Sequence, residues 1–408
     1  MNDVTATYYF KPKPGVTPEF AARAICEEQT TGTWTKLSTV NDRTAYVHAL
    51  DGVVAGLEPA ADGDAEGGCI ARLIYPNEIF EPGNIPQYLS VIAGNLFGLG
   101  KLEAVRLLDM DIPTNLAGCG PKFGIEGVRR LVGTDTVRRP HVGTIIKPKV
   151  GLNVKDTAEV AYAAALGGLD LIKDDETLTN QAFCPLLPRL EAVMQALDRA
   201  ETKTGKKVLY AVNITTGGDK IIELAHAAVK AGANMLMVDV LTAGFSAVQA
   251  LAEDPAVNVP IHVHRTMHGA LTRNPAHGIA MRPIAKLVRY FGGDQLHTGT
   301  VSGKMGGKAA EVLGDNEAIT GAYGGLRPTF PVASGGLHPG KVAAEVAALG
   351  NEIVLQAGGG VHGHPDGTTA GAMSMVQAVE AAFAGVPAKE YAKTHAELRK
   401  AIELWGDS

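Results

Sequence analysis

The chain has 408 residues, of which 46% are hydrophobic and 20% are charged, so it carries enough apolar material for a sizeable core and lacks the composition of a disordered protein. Asp and Glu outnumber Lys and Arg by 43 to 37, and without a basic excess to displace phosphate counterions we expect no nucleic-acid partner. No apolar run reaches the roughly 18 to 20 residues of a membrane span and the N-terminus shows no signal sequence, so we expect a cytoplasmic protein without a membrane partner.

The first 138 residues predict a small α+β domain. Apolar alternation predicts strands at residues 6–11, 44–50, 69–75 and 104–109, and three- to four-residue spacing predicts helices at 18–28 and around 85–97. The order strand, helix, strand, strand, helix, strand is typical of a ferredoxin-like fold. We therefore expect residues 1–138 to form a ferredoxin-like N-terminal domain.

From residue 139 onward, short runs rich in Val, Ile and Leu alternate with helix-like segments. The runs occupy residues 142–147, 169–173, 208–214, 235–240, 260–265, 295–300, 329–334 and 353–357, with helical spacing at 157–166, 187–200, 221–231, 281–291 and 341–349. Strands that alternate with helices predict a parallel sheet, and eight such strands close into a (β/α)8 TIM barrel. We expect this barrel domain at residues 139–408, with a C-terminal helical extension at 388–405.

Polar residues and glycine pairs gather where the predicted barrel strands end, which is where barrels of this type build their active sites. The strand ends carry Lys147 and Lys149, Lys173 to Glu176, Asn213, His262, His264, Arg265 and His268, His297, Ser334 with Gly335 and Gly336, and Gly358 with Gly359. Taken alone, the lysines also fit a solvated surface and the acidic run fits an exposed charged turn. The histidines fit the core, and the glycine pairs fit plain turns. Together they favour one catalytic site.

The residue types indicate the chemistry of that site. Asp175 and Glu176 offer the oxygen ligands that Mg²⁺ prefers. The ammonium group of Lys173 cannot bind a cation, whereas reaction of its amine with CO2 would give a carbamate and a third oxygen ligand. The histidine run at 262–268 suits anion binding and proton transfer, and the glycine pairs suit phosphate. The pattern predicts a Mg²⁺-dependent enzyme that acts on a phosphorylated small molecule.

A glycine-rich segment at residues 299–307 carries Lys304. It is either a plain surface loop or a mobile loop that brings a cation over the substrate and excludes water.

These motifs resemble the large subunit of ribulose-1,5-bisphosphate carboxylase/oxygenase (RuBisCO), and within that family the archaeal form III. The barrel motifs are residues 144–149, 167–176, 262–268 and 297–300. In the N-terminal domain, Glu28 with residues 31–35 and the segment 94–98 match the parts that a partner subunit adds to the family's active site. The resemblance covers essentially the whole chain and implies a homodimer with shared active sites, without a small subunit. It leaves open a higher assembly of dimers.

The resemblance also implies an activity: carboxylation of ribulose 1,5-bisphosphate by CO2, with O2 as a competing substrate. Lys173 as a carbamate, Asp175 and Glu176 would bind Mg²⁺. The implied catalytic residues are Lys147, Lys173, His264 and Lys304. The implied substrate-binding residues are Glu28, Thr33, Trp34, Asn95, Lys149, Arg265, His297, Ser334, Gly335, Gly336, Gly358 and Gly359.

The chain departs from the family pattern after the glycine-rich loop, because only 26 positions separate Lys304 from Phe330. Two alternatives are weighed against the carboxylase. A RuBisCO-like protein would enolise or isomerise another sugar phosphate without fixing CO2, and Lys147, His264 and Lys304 count against it. A catalytically silent sugar-phosphate binding protein is disfavoured by the intact metal ligands.

Overall fold

The computed structural model describes residues 3–33, 35–61, 67–302 and 309–407, and the chain divides into two compact units. One unit consists of residues 1–118 and 267–287, and the other of residues 119–266 and 288–408. Residues 119–138 and 267–287 are therefore the segments in which these units differ from the expected domain ranges, which remain predictions. In the described ranges, every helix is too short or too polar to traverse a lipid bilayer.

The N-terminal unit contains a five-stranded sheet. In spatial order its strands are Gly278–Ile279, Leu102–Asp111, Val4–Pro12, Cys69–Tyr75 and Val53–Pro59, and only the two-residue strand pairs in parallel. Its helices are Pro18–Glu28, Ile85–Ile92 and Gly269–Thr272, with 3-10 helices at Ala45–Leu50, Asn77–Ile79 and Asn95–Gly98. The four long strands and two long helices follow the predicted ferredoxin-like order.

Two N-terminal elements differ from the prediction. Residues 44–50 were expected as a strand, but Ala45–Leu50 is a 3-10 helix with no buried residue, and the strand is Val53–Pro59 instead. That strand lies at the sheet edge, is mostly exposed and contains Gly56 and Pro59, so it lacks the apolar alternation that marks a buried strand. The helix expected at 85–97 ends at Ile92, and a separate 3-10 helix follows.

The second unit contains a closed barrel of eight parallel strands, which confirms the predicted architecture. In chain order, barrel strands one to eight are His141–Ile145, Leu171–Lys173, Leu209–Asn213, Met235–Asp239, Ile261–His264, Gln295–His297, Phe330–Ser334 and Val354–Gln356. The helices described between residues 119 and 387, apart from the short Gly269–Thr272, are Gly124–Leu131, Val154–Leu166, Leu186–Thr204, Ile221–Lys230, Val240–Ala243, Phe245–Glu253, Met281–Tyr290, Ala309–Thr320, Val342–Leu349, Gly359–His362 and Gly367–Phe383, with a 3-10 helix at Pro339–Lys341.

The interior of the barrel changes from apolar to polar along the strands. Leu171, Leu209, Met235 and Phe330 form a buried cluster with the helix Gly124–Leu131. Because side chains alternate along a strand, the residues two and four positions further on face the same interior. Several of these later positions are polar, so the fold places polar groups at the C-terminal ends of strands whose earlier residues form the core.

The C-terminal extension is two helices rather than the single one expected at 388–405. Ala388–Tyr391 ends where the side chains of Thr394 and His395 both bond to the backbone carbonyl of Tyr391, at 3.3 and 2.8 Å. Such local bonds satisfy a carbonyl that a continuing helix would otherwise use. The second helix, Ala396–Trp405, buries Leu398.

Asp294 ties the start of barrel strand six to neighbouring backbone. Its fully buried carboxylate accepts bonds from the N–H groups of Phe123 at 2.7 Å, Gly124 at 2.8 Å and Ile261 at 2.9 Å. Asp294→Ala would leave three backbone donors without this partner, two of them on the buried residues Gly124 and Ile261, and we expect the free energy of unfolding to fall by about 3 kcal/mol or more. Denaturant unfolding measures this change. Asp198→Ala, at an exposed helix position, is the control. Equal effects of both variants would contradict the stabilising role of the Asp294 hydrogen bonds.

Candidate active site

Lys173 ends barrel strand two and is completely buried. Its Nζ donates to the backbone carbonyl of Asp174 at 2.7 Å and lies 3.6 Å from Oε2 of Glu176. Burial lowers the pKa of the Lys173 amine, and the neighbouring carboxylates only partly offset this. The amine is therefore closer to its neutral, nucleophilic form than an exposed lysine is.

Asp175 and Glu176 follow directly in the turn after the strand. Asp175 receives a bond of 2.5 Å from Nζ of Lys147 and one of 2.8 Å from the hydroxyl of Thr177. Burial raises the pKa of Asp175, but these hydrogen bonds outweigh it and hold the pKa below its ordinary value. For Glu176 burial likewise raises the pKa, and the charges of Lys173 and His264 bring it below the ordinary value. Both side chains are thus carboxylates at neutral pH.

Asp174, the third acidic residue of this turn, points away from the other two. Its carboxylate accepts bonds from Tyr210 at 2.5 Å, Arg189 at 3.1 Å and the backbone of Asn213 at 2.9 Å. The amide of Asn213 in turn donates to the backbone carbonyls of Asp175 and Glu176, at 3.3 and 3.2 Å. This network anchors the turn to barrel strand three and to the helix Leu186–Thr204. Asn213 was predicted as a polar strand end, whereas Arg189 and Tyr210 were not predicted as site residues.

His264 lies between two carboxylates. Its Nδ1 is 2.9 Å from Oδ1 of Asp239, and its Nε2 is 3.8 Å from Oε2 of Glu176. Burial lowers the pKa of His264, against the opposing effect of Asp239. Asp239 was not predicted as a site residue, although its position as the last residue of barrel strand four was a usable signal. A histidine oriented by a carboxylate in this way is suited to proton transfer.

Two of the predicted substrate-binding residues, His297 and Ser334, lie close to this histidine. The rings of His264 and His297 are 4.6 Å apart, and Nδ1 of His297 is 2.6 Å from Oγ of Ser334. Burial lowers the pKa of Arg265 to about 10. Its Nη2 lies only 2.8 Å from where a Cβ on Gly299 would be, so a side chain at that position would displace the guanidinium group.

The two glycine pairs follow strands seven and eight. Gly335 and Gly336 have φ of 117° and 77°, a left-handed conformation that residues with side chains rarely adopt. A Cβ on Gly358 would lie 3.0 Å from Cε of Lys147, so this glycine leaves room for the lysine. Gly359 begins the short helix Gly359–His362, and Lys149 is exposed beside strand one.

Among the residues that the structure describes, three predicted site residues belong to the N-terminal unit. Glu28 is the last residue of the helix Pro18–Glu28, and Asn95 begins the 3-10 helix Asn95–Gly98 and is exposed. Thr33 lines a cavity of about 740 Å³ within this unit. Trp34 and Lys304 lie outside the described residues.

The donor set limits which metal site is feasible. Within residues 3–33, 35–61, 67–302 and 309–407, no three His, Cys, Asp or Glu side chains converge to bind a metal ion. Asp175 and Glu176 supply carboxylate oxygens next to the cationic groups of Lys147 and Lys173, at a place where positive charge is favoured. These residues fit an oxygen-coordinated ion such as Mg²⁺ if Lys173 contributes a third oxygen.

A closed parallel barrel that gathers buried lysine, carboxylate and imidazole groups at the C-terminal ends of its strands is the arrangement of a TIM-barrel enzyme. Similarity to known proteins identifies the family to which this enzyme belongs. Residues 1–116 match the family model for the ribulose bisphosphate carboxylase large chain, N-terminal domain, and residues 124–405 match the catalytic domain of the same chain.

Full-length relatives agree with the family models. The chain is 41% identical over 408 residues to the ribulose bisphosphate carboxylase of Pyrococcus furiosus, covering 99% of this chain and 94% of that protein. It is 39% identical over 421 residues to the enzyme of Methanosarcina mazei, covering 99% and 96%. The chain therefore belongs to the ribulose bisphosphate carboxylase large-chain family, and it is an enzyme of the carboxylase class.

Solved structures show the same relationship. The octameric Rubisco of Pyrococcus horikoshii has a TM-score of 0.92 and 40% identity, covering 99% of this chain and 94% of that one. The dimeric archaeal Rubisco of Hyperthermus butylicus has a TM-score of 0.89 and 37% identity, covering 100% and 96%.

The Asp174 network yields a test of stability. Arg189→Met removes the cationic partner of a completely buried carboxylate, and we expect the free energy of unfolding to fall by about 3 to 5 kcal/mol. The matched control is Arg199→Met, which breaks the exposed pair with Glu159 and should lower it by less than about 1 kcal/mol. Denaturant unfolding of both variants measures the difference. Similar losses in the free energy of unfolding would show that the buried ion pair contributes no more to stability than the exposed one.

Proposed function

We propose that the protein catalyses the Mg²⁺-dependent carboxylation of ribulose 1,5-bisphosphate, with O2 as a competing substrate. CO2 and water would combine with the five-carbon substrate to give two molecules of 3-phosphoglycerate. The observation that carries the proposal is the buried Lys173, whose Nζ lies 3.6 Å from Glu176 in the same turn as Asp175. The full-length similarity to archaeal carboxylases supports the same activity and an assignment to form III.

Activation begins at Lys173. Its neutral amine attacks the carbon of CO2, an N–C bond forms and one proton is released, which leaves a carbamate in place of the amine. The carbamate, Asp175 and Glu176 would then hold Mg²⁺ through oxygen atoms. When bound, the ion acts as a Lewis acid that stabilises negative charge on the substrate oxygens. As a carbamate, Lys173 is also the proposed base for the C3 proton of the substrate.

Lys147 and His264 are the proposed proton-transfer groups. Lys147 is held by Asp175, and the absence of a side chain at Gly358 leaves space for its stem. We assign it the delivery of a proton to the final carbanion. His264, oriented by Asp239, would assist hydration and proton transfer. Lys304 would stabilise the carboxylate that forms as CO2 adds, with Glu28 positioning it.

The two phosphate groups of the substrate need separate binding sites. Arg265, His297 and Ser334 would hold one phosphate, and Asn95 would bind substrate near the metal. The remaining proposed substrate-binding residues are Thr33, Trp34, Lys149, Gly335, Gly336, Gly358 and Gly359. The left-handed backbone of Gly335 and Gly336 supports this role, since it lets N–H groups approach an anion closely.

The proposed active unit is a homodimer in which Glu28, Thr33, Trp34 and Asn95 complete the site of the partner subunit. Solved relatives described as dimeric and as octameric support a homo-oligomer. We propose no small subunit, and we assign the enzyme to the cytoplasm.

The test is direct carbon fixation. The purified protein is preincubated with CO2 and Mg²⁺ and given ribulose 1,5-bisphosphate and ¹⁴C-bicarbonate without O2. We expect two molecules of 3-phosphoglycerate for each substrate consumed, with one of the two labelled. Lys173→Met, which cannot form a carbamate, is the control and should be inactive.

The same assay distinguishes the alternative. Exchange of the C3 proton with solvent, followed by NMR, reports enolisation whether or not CO2 is fixed. Proton exchange without labelled product would contradict carboxylation and favour a RuBisCO-like enzyme that enolises or isomerises a sugar phosphate.

A further inference from the structure

A chain of hydrogen-bonded side chains crosses barrel strands five, six and seven. Oε1 of Gln295 lies 2.6 Å from Nδ1 of His262, Nε2 of His262 lies 2.8 Å from Nε2 of His297, and Nδ1 of His297 lies 2.6 Å from Oγ of Ser334. Gln295 and His262 are direct neighbours in the parallel pairing of strands six and five. The chain thus links the barrel interior to two residues of the proposed phosphate site.

The surroundings of this hydrogen-bonded chain keep its histidines neutral and exclude bulk water. Gln295, His262 and His297 are each no more than 2% exposed, so bulk water cannot replace a missing partner. Burial lowers the pKa of His262 to about 3 and the pKa of His297 well below its ordinary value. A neutral imidazole has one ring nitrogen that donates and one that accepts.

These rules allow only two arrangements of hydrogens. If Gln295 offers its carbonyl oxygen, His262 must carry its hydrogen on Nδ1 and accept at Nε2. His297 then carries its hydrogen on Nε2 and accepts at Nδ1, so the hydroxyl of Ser334 donates to it. If Gln295 offered its NH2 group instead, every bond would reverse. The orientation of one amide therefore decides both tautomers.

We propose that Gln295 is a positioning residue that fixes His262 as the Nδ1–H tautomer and His297 as the Nε2–H tautomer through its carbonyl oxygen. The structure directs Oε1 toward His262, which selects this arrangement. By this route Gln295 determines that both ring nitrogens of His297 and the hydroxyl hydrogen of Ser334 are used within the hydrogen-bonded chain. The substrate then meets the oxygen lone pairs of Ser334, which accept from a hydroxyl group of the sugar phosphate, while Arg265 donates to the phosphate. That last consequence rests on the proposed function, whereas the tautomers themselves do not.

A second buried glutamine, in barrel strand eight of the protein, provides a matched control. Gln356, the last residue of barrel strand eight, is also a fully buried strand glutamine, but among the described residues neither its amide oxygen nor its amide nitrogen has a hydrogen-bond partner. Gln295→Met and Gln356→Met remove the same amide at similar side-chain volume. Only the first variant alters the hydrogen-bonded chain.

The experiment is solid-state NMR of full-length protein labelled with ¹³C,¹⁵N-histidine. Nδ1 is bonded to Cγ and Nε2 to Cδ2, so carbon–nitrogen correlations show which nitrogen carries hydrogen. Signals are assigned with His262→Asn and His297→Asn. We expect Nδ1–H at His262 and Nε2–H at His297, unchanged in Gln356→Met. In Gln295→Met we expect a second tautomer to appear at His262.

Steady-state kinetics adds a second measurement. For Gln295→Met we expect KM for ribulose 1,5-bisphosphate to rise about fivefold, the factor for one net hydrogen bond of about 1 kcal/mol. The value of kcat should stay within about twofold. Wild-type protein with the opposite tautomers would overturn the proposal, as would unchanged tautomers in a folded Gln295→Met variant. Failure to fix CO2 with the expected tautomers would count against the proposed function alone.

Discussion

The structure depends on a lysine side chain whose amine is buried out of contact with solvent. Lys173 has no exposed surface, and its amine faces one backbone carbonyl and the carboxylate of Glu176. Desolvation of a charged amine is unfavourable, so the fold must either surround it with negative charge or leave it neutral. Here the two effects compete: burial lowers its pKa, and four nearby acidic residues oppose that change. A lysine whose pKa is lowered in this way can react through its amine nitrogen.

The rest of the barrel can be understood as support for that balance. The apolar cluster around Leu171 and Phe330 fixes the strands below the site, and the bonds from Arg189 and Tyr210 to Asp174 fix the turn above it. With Asp174 committed to this network, Asp175 and Glu176 remain available beside Lys173. Adjacent acidic residues thus have different roles because successive side chains in the turn face different surroundings.

Much of this organisation was predictable from sequence. Eight apolar runs at regular spacing gave the barrel, because fully buried parallel strands have few alternatives to Val, Ile and Leu. The polar strand ends could be identified for the same reason, since each interrupts an apolar run where the strand ends. The edge strand Val53–Pro59 could not be found in this way, because an exposed edge carries no burial pattern.

Individual contacts within the site were less predictable. The separation of Asp174 from Asp175 depends on side-chain direction in a turn, and the roles of Asp239 and Gln295 depend on which strands are neighbours in the closed barrel. A single sequence contains the residues of each pair but not their spatial pairing. His262 shows the same point: its position on the face shared with His264 was predictable, whereas its bonds to Gln295 and His297 required the fold.

The central claim, that buried Lys173 takes up CO2, is tested most directly by ¹³C NMR of the protein incubated with ¹³CO2 and Mg²⁺, followed by chemical trapping of the adduct and mass spectrometry of the peptides. We expect one carbamate signal that maps to Lys173, disappears in Lys173→Arg and persists when the exposed Lys203 is replaced by Met. A wild-type protein without the signal, or an adduct that survives in Lys173→Arg, would contradict it.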